Sequence, residues 1–279
     1  MPQAKAMICL PSVTITGNSM TIQLQPQSTN LESWIRTARE ECAFFEVMDP
    51  FFMPGYDDFQ KVSHIAEQFQ KTGIVSSLHG AFIDVNPNSG DPRLRELSRQ
   101  RCRESCALAV FLGAQNVIFH SSAFPFLRGA YLQNWAEGCA SFYEELASLY
   151  PVNIYIENAQ DLDPTPLRML MDNISSDRIG VCLDVGHANY SRVPVEQWFD
   201  VLAERVGYLH LSDNTGAFDD HLPLGQGSVD WKMVDRCWQQ LGKDMPITLE
   251  TVTLDATKES IRFLQKHGYF GWKGNQYGQ

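Results

Sequence analysis

The feature that most constrains this chain is a series of six short apolar segments, each ending on a residue that can bind a metal ion. The segments are VSSL before His79, NVIF before His120, NIYI before Glu157, GVCL before Asp184, VGYL before His210 and PITL before Glu250. Short apolar runs bounded by turn residues predict buried β-strands. Because carboxylates and imidazoles are costly to bury, their convergence at one edge of a sheet indicates a bound cation or shared protons.

Helical segments lie between most of the predicted strands, so the chain alternates strand with helix. Strands are predicted at Met7–Leu10, Phe44–Val47, Ile74–Leu78, Asn116–Phe119, Asn153–Ile156, Gly180–Leu183, Val206–Leu209 and Ile247–Leu249. Helices are predicted at Leu31–Glu41, Asp57–Thr72, Arg93–Leu112, Leu132–Leu149, Thr165–Asn173, Val195–Arg205, Trp231–Leu241 and Thr257–His267. Eight such repeats predict an α/β fold, a single (β/α)₈ TIM barrel with a metal site at its C-terminal mouth. A doubly wound open sheet is less favoured, because six strand ends would hardly meet across it.

Length and composition narrow the class of protein. The 279 residues contain no low-complexity linker, so residues 1–279 are expected to form one domain. The 22 basic and 33 acidic residues give a net charge of −11, which argues against a nucleic-acid partner. Seven cysteines without a CxxC pair favour reduced thiols and a cytoplasmic location. Neither a signal peptide nor a membrane-spanning segment is expected.

The candidate ligands form three groups, two of which share Glu157. Glu157, Asp184, His210 and Glu250 make a mostly oxygen site that suits one divalent cation such as Mn²⁺, Mg²⁺ or Co²⁺, with Zn²⁺ as an alternative. A second group joins His79 and His120 to Glu157, and a third consists of His187, Asp219 and His221. Simple ion pairing is disfavoured, because few cationic residues are near enough in sequence to pair with three carboxylates.

Several motifs resemble those of the xylose isomerase-like TIM-barrel superfamily, which includes sugar isomerases and epimerases as well as endonuclease IV. The segments are LHG, FHSS, IEN, LDVGHAN, YLHLSDN, DDHLPLGQGSVDW and TLE, between roughly residues 74 and 250. LDVGHAN and DxHLPLGxGxxDW are the more specific of these. The resemblance implies the same barrel and a metal-dependent reaction at its mouth.

The resemblance also implies roles for individual residues. Ketose 3-epimerases of the superfamily hold one divalent ion through positions that match Glu157, Asp184, His210 and Glu250. The two glutamates would then be the catalytic acid and base, and His187 would contact the substrate. Two further candidates for substrate contact are His79 and Glu46, which ends the FFEV run and alternatively holds a neighbouring side chain.

Endonuclease IV uses nine ligands around three zinc ions, and this chain has a counterpart for each. They are His79, His120, Glu157, Asp184, His187, His210, Asp219, His221 and Glu250. Two departures weaken the nuclease hypothesis. Phe82 stands where the repair enzyme has a tyrosine, and the loops after strands 2, 3 and 4 carry few basic residues to meet phosphates.

The expected function is a divalent-metal-dependent isomerase or epimerase of a sugar or hydroxy-keto acid. In such a reaction the cation stabilises an enediolate while Glu157 and Glu250 transfer a proton on opposite faces of the substrate. Three alternatives remain: a polyol-ketone dehydratase, a three-zinc phosphodiesterase resembling endonuclease IV, and a partner-dependent or non-catalytic subunit. The expected partner is a small-molecule sugar or keto-polyol, and the apolar segment GYFGW near the end is a candidate contact in a homo-oligomer.

Overall fold

Eight parallel strands form the centre of the computed structural model, which describes residues 20–50 and 58–272. The strands are β1 (Met20–Leu24), β2 (Phe44–Met48), β3 (Val75–His79), β4 (Asn116–His120), β5 (Asn153–Glu157), β6 (Ile179–Asp184), β7 (Val206–Leu211) and β8 (Met245–Leu249). They close into a barrel in chain order, and β8 pairs with β1 from Met20 opposite Met245 to Leu24 opposite Leu249. The predicted TIM barrel is confirmed.

Helices follow the strands and form the outer layer. They are α1 (Leu31–Glu40), α2 (Phe59–Thr72), α3 (Pro92–Leu112), α4 (Gly129–Leu149), α5 (Thr165–Asp172), α6 (Val185–Asn189), α7 (Val195–Leu202), α8 (Trp231–Leu241) and α9 (Leu254–His267). Local sequence sets their ends: Asp58 and Asp91 accept first-turn N–H groups, while Gly73 and Gly113 end α2 and α3 with positive φ. No helix in the described ranges is long and apolar enough to cross a membrane.

Side chains alternate along each strand, so the barrel separates two sets of buried residues. The set facing the helices is apolar and includes Leu78, Val117, Phe119, Ile154, Ile156, Val181, Leu183, Leu209 and Ile247. The set facing the interior forms a small separate cluster of Ile118, Cys182 and Tyr208, with Tyr155 packed against it. Two residues beyond Tyr155, Cys182 and Tyr208 on the same face come Glu157, Asp184 and His210. The ligands are therefore the last interior positions of their strands.

Two predictions about individual elements need correction. The predicted strand Met7–Leu10 lies outside the described residues, and the strand that completes the barrel is Met20–Leu24. Its sequence MTIQL alternates apolar and polar residues, because Gln23 faces the barrel interior and is fully buried there. A search for continuous apolar runs misses such a strand. The short helix Val185–Asn189, directly after β6, was also not predicted. The assignment of residues 1–279 to one domain stays a prediction.

The apolar segment near the C-terminal end packs on its own barrel as far as it is described. Phe270 is only 1% exposed, and its ring lies 5.5 Å from that of Trp238. Its backbone N–H donates to Asp235 Oδ1 at 2.6 Å. Phe270 is therefore not available for a contact between subunits, and the homo-oligomer stays a prediction.

Candidate metal centre

All nine ligand-type residues named from the sequence converge at the C-terminal mouth of the barrel. Six lie at or beside the ends of strands β3 to β8, His187 lies on α6, and Asp219 and His221 lie in the loop between β7 and α8. They form overlapping groups in which the ligand atoms lie within 4.8 Å of one another. These groups are Glu157 with His79 and His120, Glu157 with Asp184, His210 and Glu250, and His187 with Asp219 and His221. The geometry thus brings together the three groups expected from the sequence.

The central group is buried almost completely. Glu157, Asp184 and His210 have no exposed surface, and Glu250 is 6% exposed. The Nδ1 atom of His210 lies 3.0 Å from Glu250 Oε2, 3.4 Å from Glu157 Oε2 and 4.0 Å from Asp184 Oδ2. Three carboxylates and an imidazole, at the ends of the consecutive strands β5 to β8, therefore face one small volume.

The unpaired atoms of this group fit a cation. Both carboxylate oxygens of Glu157, Oδ2 of Asp184, Nδ1 of His210 and Oε2 of Glu250 are buried and make no hydrogen bond. Leaving a single buried polar atom unpaired is destabilising by about 1–3 kcal/mol, and more for a charged group. Five such atoms aimed at one volume are therefore a poor arrangement for the protein alone, and their oxygen-rich chemistry suits a divalent ion.

Glu46 lies beneath His210 rather than beside the open mouth. It is fully buried, and its Oε2 accepts hydrogen bonds from Tyr208 at 2.6 Å and Thr248 at 2.7 Å. The same oxygen lies 3.0 Å from His210 Nε2 and accepts a hydrogen bond from it, which leaves Nδ1 free to bind a metal. The expectation that Glu46 contacts substrate does not suit this position, because three protein donors already occupy its inner oxygen.

Three other histidines are oriented by backbone carbonyls. The Nδ1 atom of His79 lies 3.1 Å from the Gly80 oxygen, that of His187 lies 2.7 Å from the Asn158 oxygen, and that of His221 lies 3.0 Å from the Glu250 oxygen. A carbonyl only accepts, so in each ring Nδ1 carries the proton and Nε2 is the ligand atom. These Nε2 atoms point to carboxylates: His79 to Glu157 at 3.4 Å, and both His187 and His221 to Asp219 at 3.1 Å.

The charges in the centre depend strongly on one another. Burial raises the pKa of Asp184 to about 7, whereas His210 and His120 hold the pKa of Glu157 well below its ordinary value despite burial. Burial lowers the pKa of His120 to about 4. Burial also opposes protonation of His221, but Asp219 and Glu250 raise its pKa to about 10. Without a cation, protons on the imidazoles offset the carboxylates, so metal binding would release protons.

Two residues that support the centre were missed in the sequence. Gln25, just after β1, donates from Nε2 to Glu250 Oε1 at 3.0 Å. Gln25 was not identified from the sequence because strand β1, which it follows, was not predicted. Asp213 is fully buried and accepts from Gly225 N at 2.8 Å and from Trp231 Nε1 at 2.9 Å, which anchors the loop carrying Asp219 and His221. Its position within the LSDN segment offered no signal of that role.

A cavity of about 480 Å³ opens over the centre, a size that encloses a small organic molecule. Its polar side is lined by His79, His120, His187, Asp219, His221 and Glu250. Phe82 also lines it, with its ring 5.0 Å from that of His79. Among the residues described around this cavity there is no lysine or arginine.

Fold and site together define a (β/α)₈ barrel protein with a cluster of carboxylate and imidazole ligand atoms at its mouth. Residues 36–267 match the sequence profile of the xylose isomerase-like TIM barrel. The chain belongs to that family, as the motif resemblance implied.

Relatives of this chain have different names. An uncharacterised protein of Methanocaldococcus jannaschii is 24% identical over 221 residues, which cover 75% of each chain. A probable endonuclease 4 of Mycobacterium leprae is 25% identical over 218 residues, 72% of this chain and 82% of that protein. The fold of a D-tagatose 3-epimerase-like protein matches with a TM-score of 0.73 at 22% identity, over 89% of this chain and 97% of that one. A Thermus thermophilus protein soaked with ZnCl₂ gives 0.71 at 22% identity, over 88% and 97%.

Proposed function

We propose that this protein is a divalent-metal-dependent isomerase or epimerase of a sugar or hydroxy-keto acid. The observation that carries the proposal is the buried group of Glu157, Asp184, His210 and Glu250, whose unpaired ligand atoms lie under a cavity with no lysine or arginine among the residues described around it. The likeness to a D-tagatose 3-epimerase-like protein and to a zinc-soaked structure supports it. One Mn²⁺, Mg²⁺, Co²⁺ or Zn²⁺ per chain is the proposed cofactor.

A bound divalent cation supplies a Lewis acid that polarises a carbonyl oxygen. The residues of the chain then handle the proton. Glu250 borders the cavity from β8, and Glu157 reaches the centre from β5, so their carboxylates approach a substrate from different sides. One carboxylate removes the proton beside the carbonyl and the other returns one. Return to the opposite face of the same carbon epimerises, and return to the neighbouring carbon isomerises.

The remaining polar residues of the cavity would hold the substrate. His79 and His187 line the cavity and are proposed to meet its hydroxyl groups. The net charge of −11 supports a small-molecule partner over nucleic acid. All six described cysteines are free thiols, five of them buried, which supports the reducing cytoplasm as the location.

The proposal is tested by metal content and by proton exchange measured on the same preparation. Elemental analysis should find one divalent ion per chain. Incubation with ketoses in D₂O should replace a carbon-bound proton next to the carbonyl by deuterium, as followed by NMR. A metal-loaded protein that exchanges no proton in any ketose or keto-polyol tested would contradict the proposal.

Glu157→Gln and Glu250→Gln are expected to lower turnover by at least about 100-fold, because each removes a group that transfers the proton. Metal content must be measured alongside, since both glutamates are also proposed ligands. Glu137→Gln, on the exposed face of α4, is the matched control and should behave as wild type. Wild-type turnover in either active-site variant with metal retained would refute the acid–base assignment.

A second function is favoured by one observation, the convergence of three ligand groups rather than one at the barrel mouth. Several ions can stabilise the transition state of phosphate ester hydrolysis, as in a three-zinc phosphodiesterase resembling endonuclease IV. Three zinc ions per chain together with nicking of abasic DNA at moderate salt would establish that function. A dehydratase would use the same centre, and loss of a hydroxyl group from the product would identify it.

A further inference from the structure

The cavity extends well beyond the metal centre, into the sector of the barrel formed by β1, β2 and α2. Its far side is lined by Val47, Met48, Pro50, Ile65 and Phe69, which we call the apolar wall. Ile65 and Phe69 lie one turn apart on α2, so the same face of that helix borders the cavity. Both are buried, at 8% and 3% exposure, so the cavity reaches into the space between helix and strands.

The chemistry of the cavity is divided between its two sides. Ionisable lining residues lie only on the metal side among the described residues, and neither lysine nor arginine is among them. The amides at the boundary are already engaged: Gln25 donates to Glu250, and Gln27 donates to the Val252 carbonyl at 2.6 Å. A phosphate or carboxylate on the substrate would therefore meet no lysine or arginine among the described residues of the cavity.

We propose that the apolar wall is a binding subsite for an aryl or alkyl substituent of a neutral substrate. The substrate class is then a hydroxy-ketone or ketose derivative that has a polar end at the metal centre and an apolar group against Met48, Ile65 and Phe69. Which end reacts rests on the proposed function, whereas the binding preference does not. The area that such a group removes from water against these residues provides the affinity.

The test compares three probes with manganese-loaded wild-type protein by calorimetry. Hydroxyacetone and 2-hydroxyacetophenone share the hydroxy-ketone group and differ in a methyl or phenyl substituent, while dihydroxyacetone phosphate adds a dianion. The phenyl probe should bind at least about tenfold more tightly than hydroxyacetone, because burial of a ring favours binding by more than 1.4 kcal/mol. The phosphate probe should bind no better than hydroxyacetone. Equal affinity for the methyl and phenyl probes, or tightest binding of the phosphate, would overturn the proposal.

Variants locate the preference on the apolar wall. Met48→Gln keeps side-chain length but adds a polar amide, and Ile65→Thr replaces an apolar ethyl group on α2 with a hydroxyl group. Each should reduce the preference for the phenyl probe to threefold or less, and the second serves if the first fails to fold. Met169→Gln on α5, also a partly buried methionine, is the matched control and should keep it. An unchanged preference in both folded wall variants would place the phenyl group elsewhere and refute the subsite.

The same samples separate this proposal from the proposed function. Deuterium exchange at the hydroxymethyl carbon of the probes reports proton transfer, and calorimetry reports the subsite. A phenyl preference without exchange supports the subsite and counts against the isomerase function. Exchange without the preference leaves the isomerase function and overturns the subsite.

Discussion

At the scale of single residues, the centre depends on hydrogen bonds that assign each imidazole one ligand nitrogen. Backbone carbonyls hold Nδ1 of His79, His187 and His221, whereas the Glu46 carboxylate holds Nε2 of His210. The rings therefore need not reorient when an ion binds, which reduces the entropy lost on binding. His210 differs from the others in using Nδ1, because its Nε2 donates to Glu46.

Glu46→Gln is expected to weaken metal affinity by about 10–100-fold, because an amide no longer accepts strongly from Tyr208, Thr248 and His210 at once. Titration against a competing chelator measures the change. Glu41→Gln is the control, since that half-buried carboxylate accepts one amide hydrogen bond from Gln265 far from the mouth. Unchanged affinity in Glu46→Gln would show that the ring is held by packing alone.

Asp161 gives a prediction for the dependence of stability on pH. It is 6% exposed, Ser121 donates to its Oδ2 at 2.6 Å, and burial raises its pKa from 3.8 to about 6. Between these two values the folded chain holds a proton that the unfolded chain has released, so stability falls as pH rises from about 4 to about 6. Asp161→Asn removes that loss and should gain about 2–3 kcal/mol over wild type between pH 4 and pH 7.5.

Urea denaturation at both pH values gives the free energy of unfolding for this comparison. Asp177→Asn changes an exposed aspartate and controls for the altered net charge. If Asp161→Asn and wild type keep parallel pH profiles, the buried carboxylate is not the group that titrates.

At the scale of elements, the loop between β7 and α8 is anchored by the buried side chain of Asp213. Asp213 accepts from Gly225 N and Trp231 Nε1, and its oxygen Oδ1 lies against Gly227. A Cβ atom at Gly227 would come within 2.2 Å of both that oxygen and the Asn214 carbonyl oxygen. Glycine is thus required there by close backbone approach, and the loop presents Asp219 and His221 as a consequence.

Gly227→Ala is therefore expected to destabilise the protein by about 1–3 kcal/mol, as overpacking of a tight site does. It should also lower affinity for any ion held by Asp219 and His221, because the loop must move. Gly90→Ala is the control, since nothing lies within 4 Å of its added Cβ. Denaturation and metal titration of both variants check this, and wild-type behaviour of Gly227→Ala would mean that the loop readily adjusts.

Strands β2 to β8 were predictable from sequence, even where an interior residue is polar, as Glu46 is in β2 and Ser77 is in β3. β1 was not predicted because MTIQL alternates apolar and polar residues and contains no continuous apolar run. The position of Glu46 was equally hidden, because a register shift between Phe45 and Glu46 redirects the strand at that point. Helix α6 begins immediately on Asp184, which caps it by accepting from His187 N at 2.5 Å, so no loop marks its start.

At the scale of the whole molecule, alternation of strand and helix sufficed to predict the barrel, because closure follows from eight repeats and right-handed crossovers. The identity of the candidate ligands was predictable too, since strand ends of parallel strands share one mouth. The orientation of each imidazole ring was not predictable, because it depends on hydrogen bonds to backbone carbonyls. The apolar wall was not predictable either, because it depends on a helix face distant in sequence. Ile65 and Phe69 look in the sequence like ordinary core residues of α2.

Removal of metal should destabilise the entire barrel, because a cation that binds only the folded state stabilises it in proportion to its excess over Kd. Chelation with EDTA is expected to lower the melting temperature by several degrees, and added Mn²⁺ or Zn²⁺ should restore it. At an ion concentration of 100 times Kd the stabilisation is about 2.7 kcal/mol. Calorimetry with and without chelator measures this, and identical melting curves would argue that protons alone neutralise the centre.

The strict alternation of side chains makes the spacing within each strand as important as the residues themselves. Deleting one residue upstream in β5 would turn the Glu157 carboxylate toward the helices and place Asn158 at the mouth position that Glu157 now fills. A shift of one residue therefore reverses which side chains face the barrel mouth. Insertion or deletion of one residue within a strand is expected to abolish function, whereas longer loops next to the helices are expected to be tolerated. In an engineered version of this barrel, the loops that connect strands and helices can change in length, whereas the strands can hardly change at all.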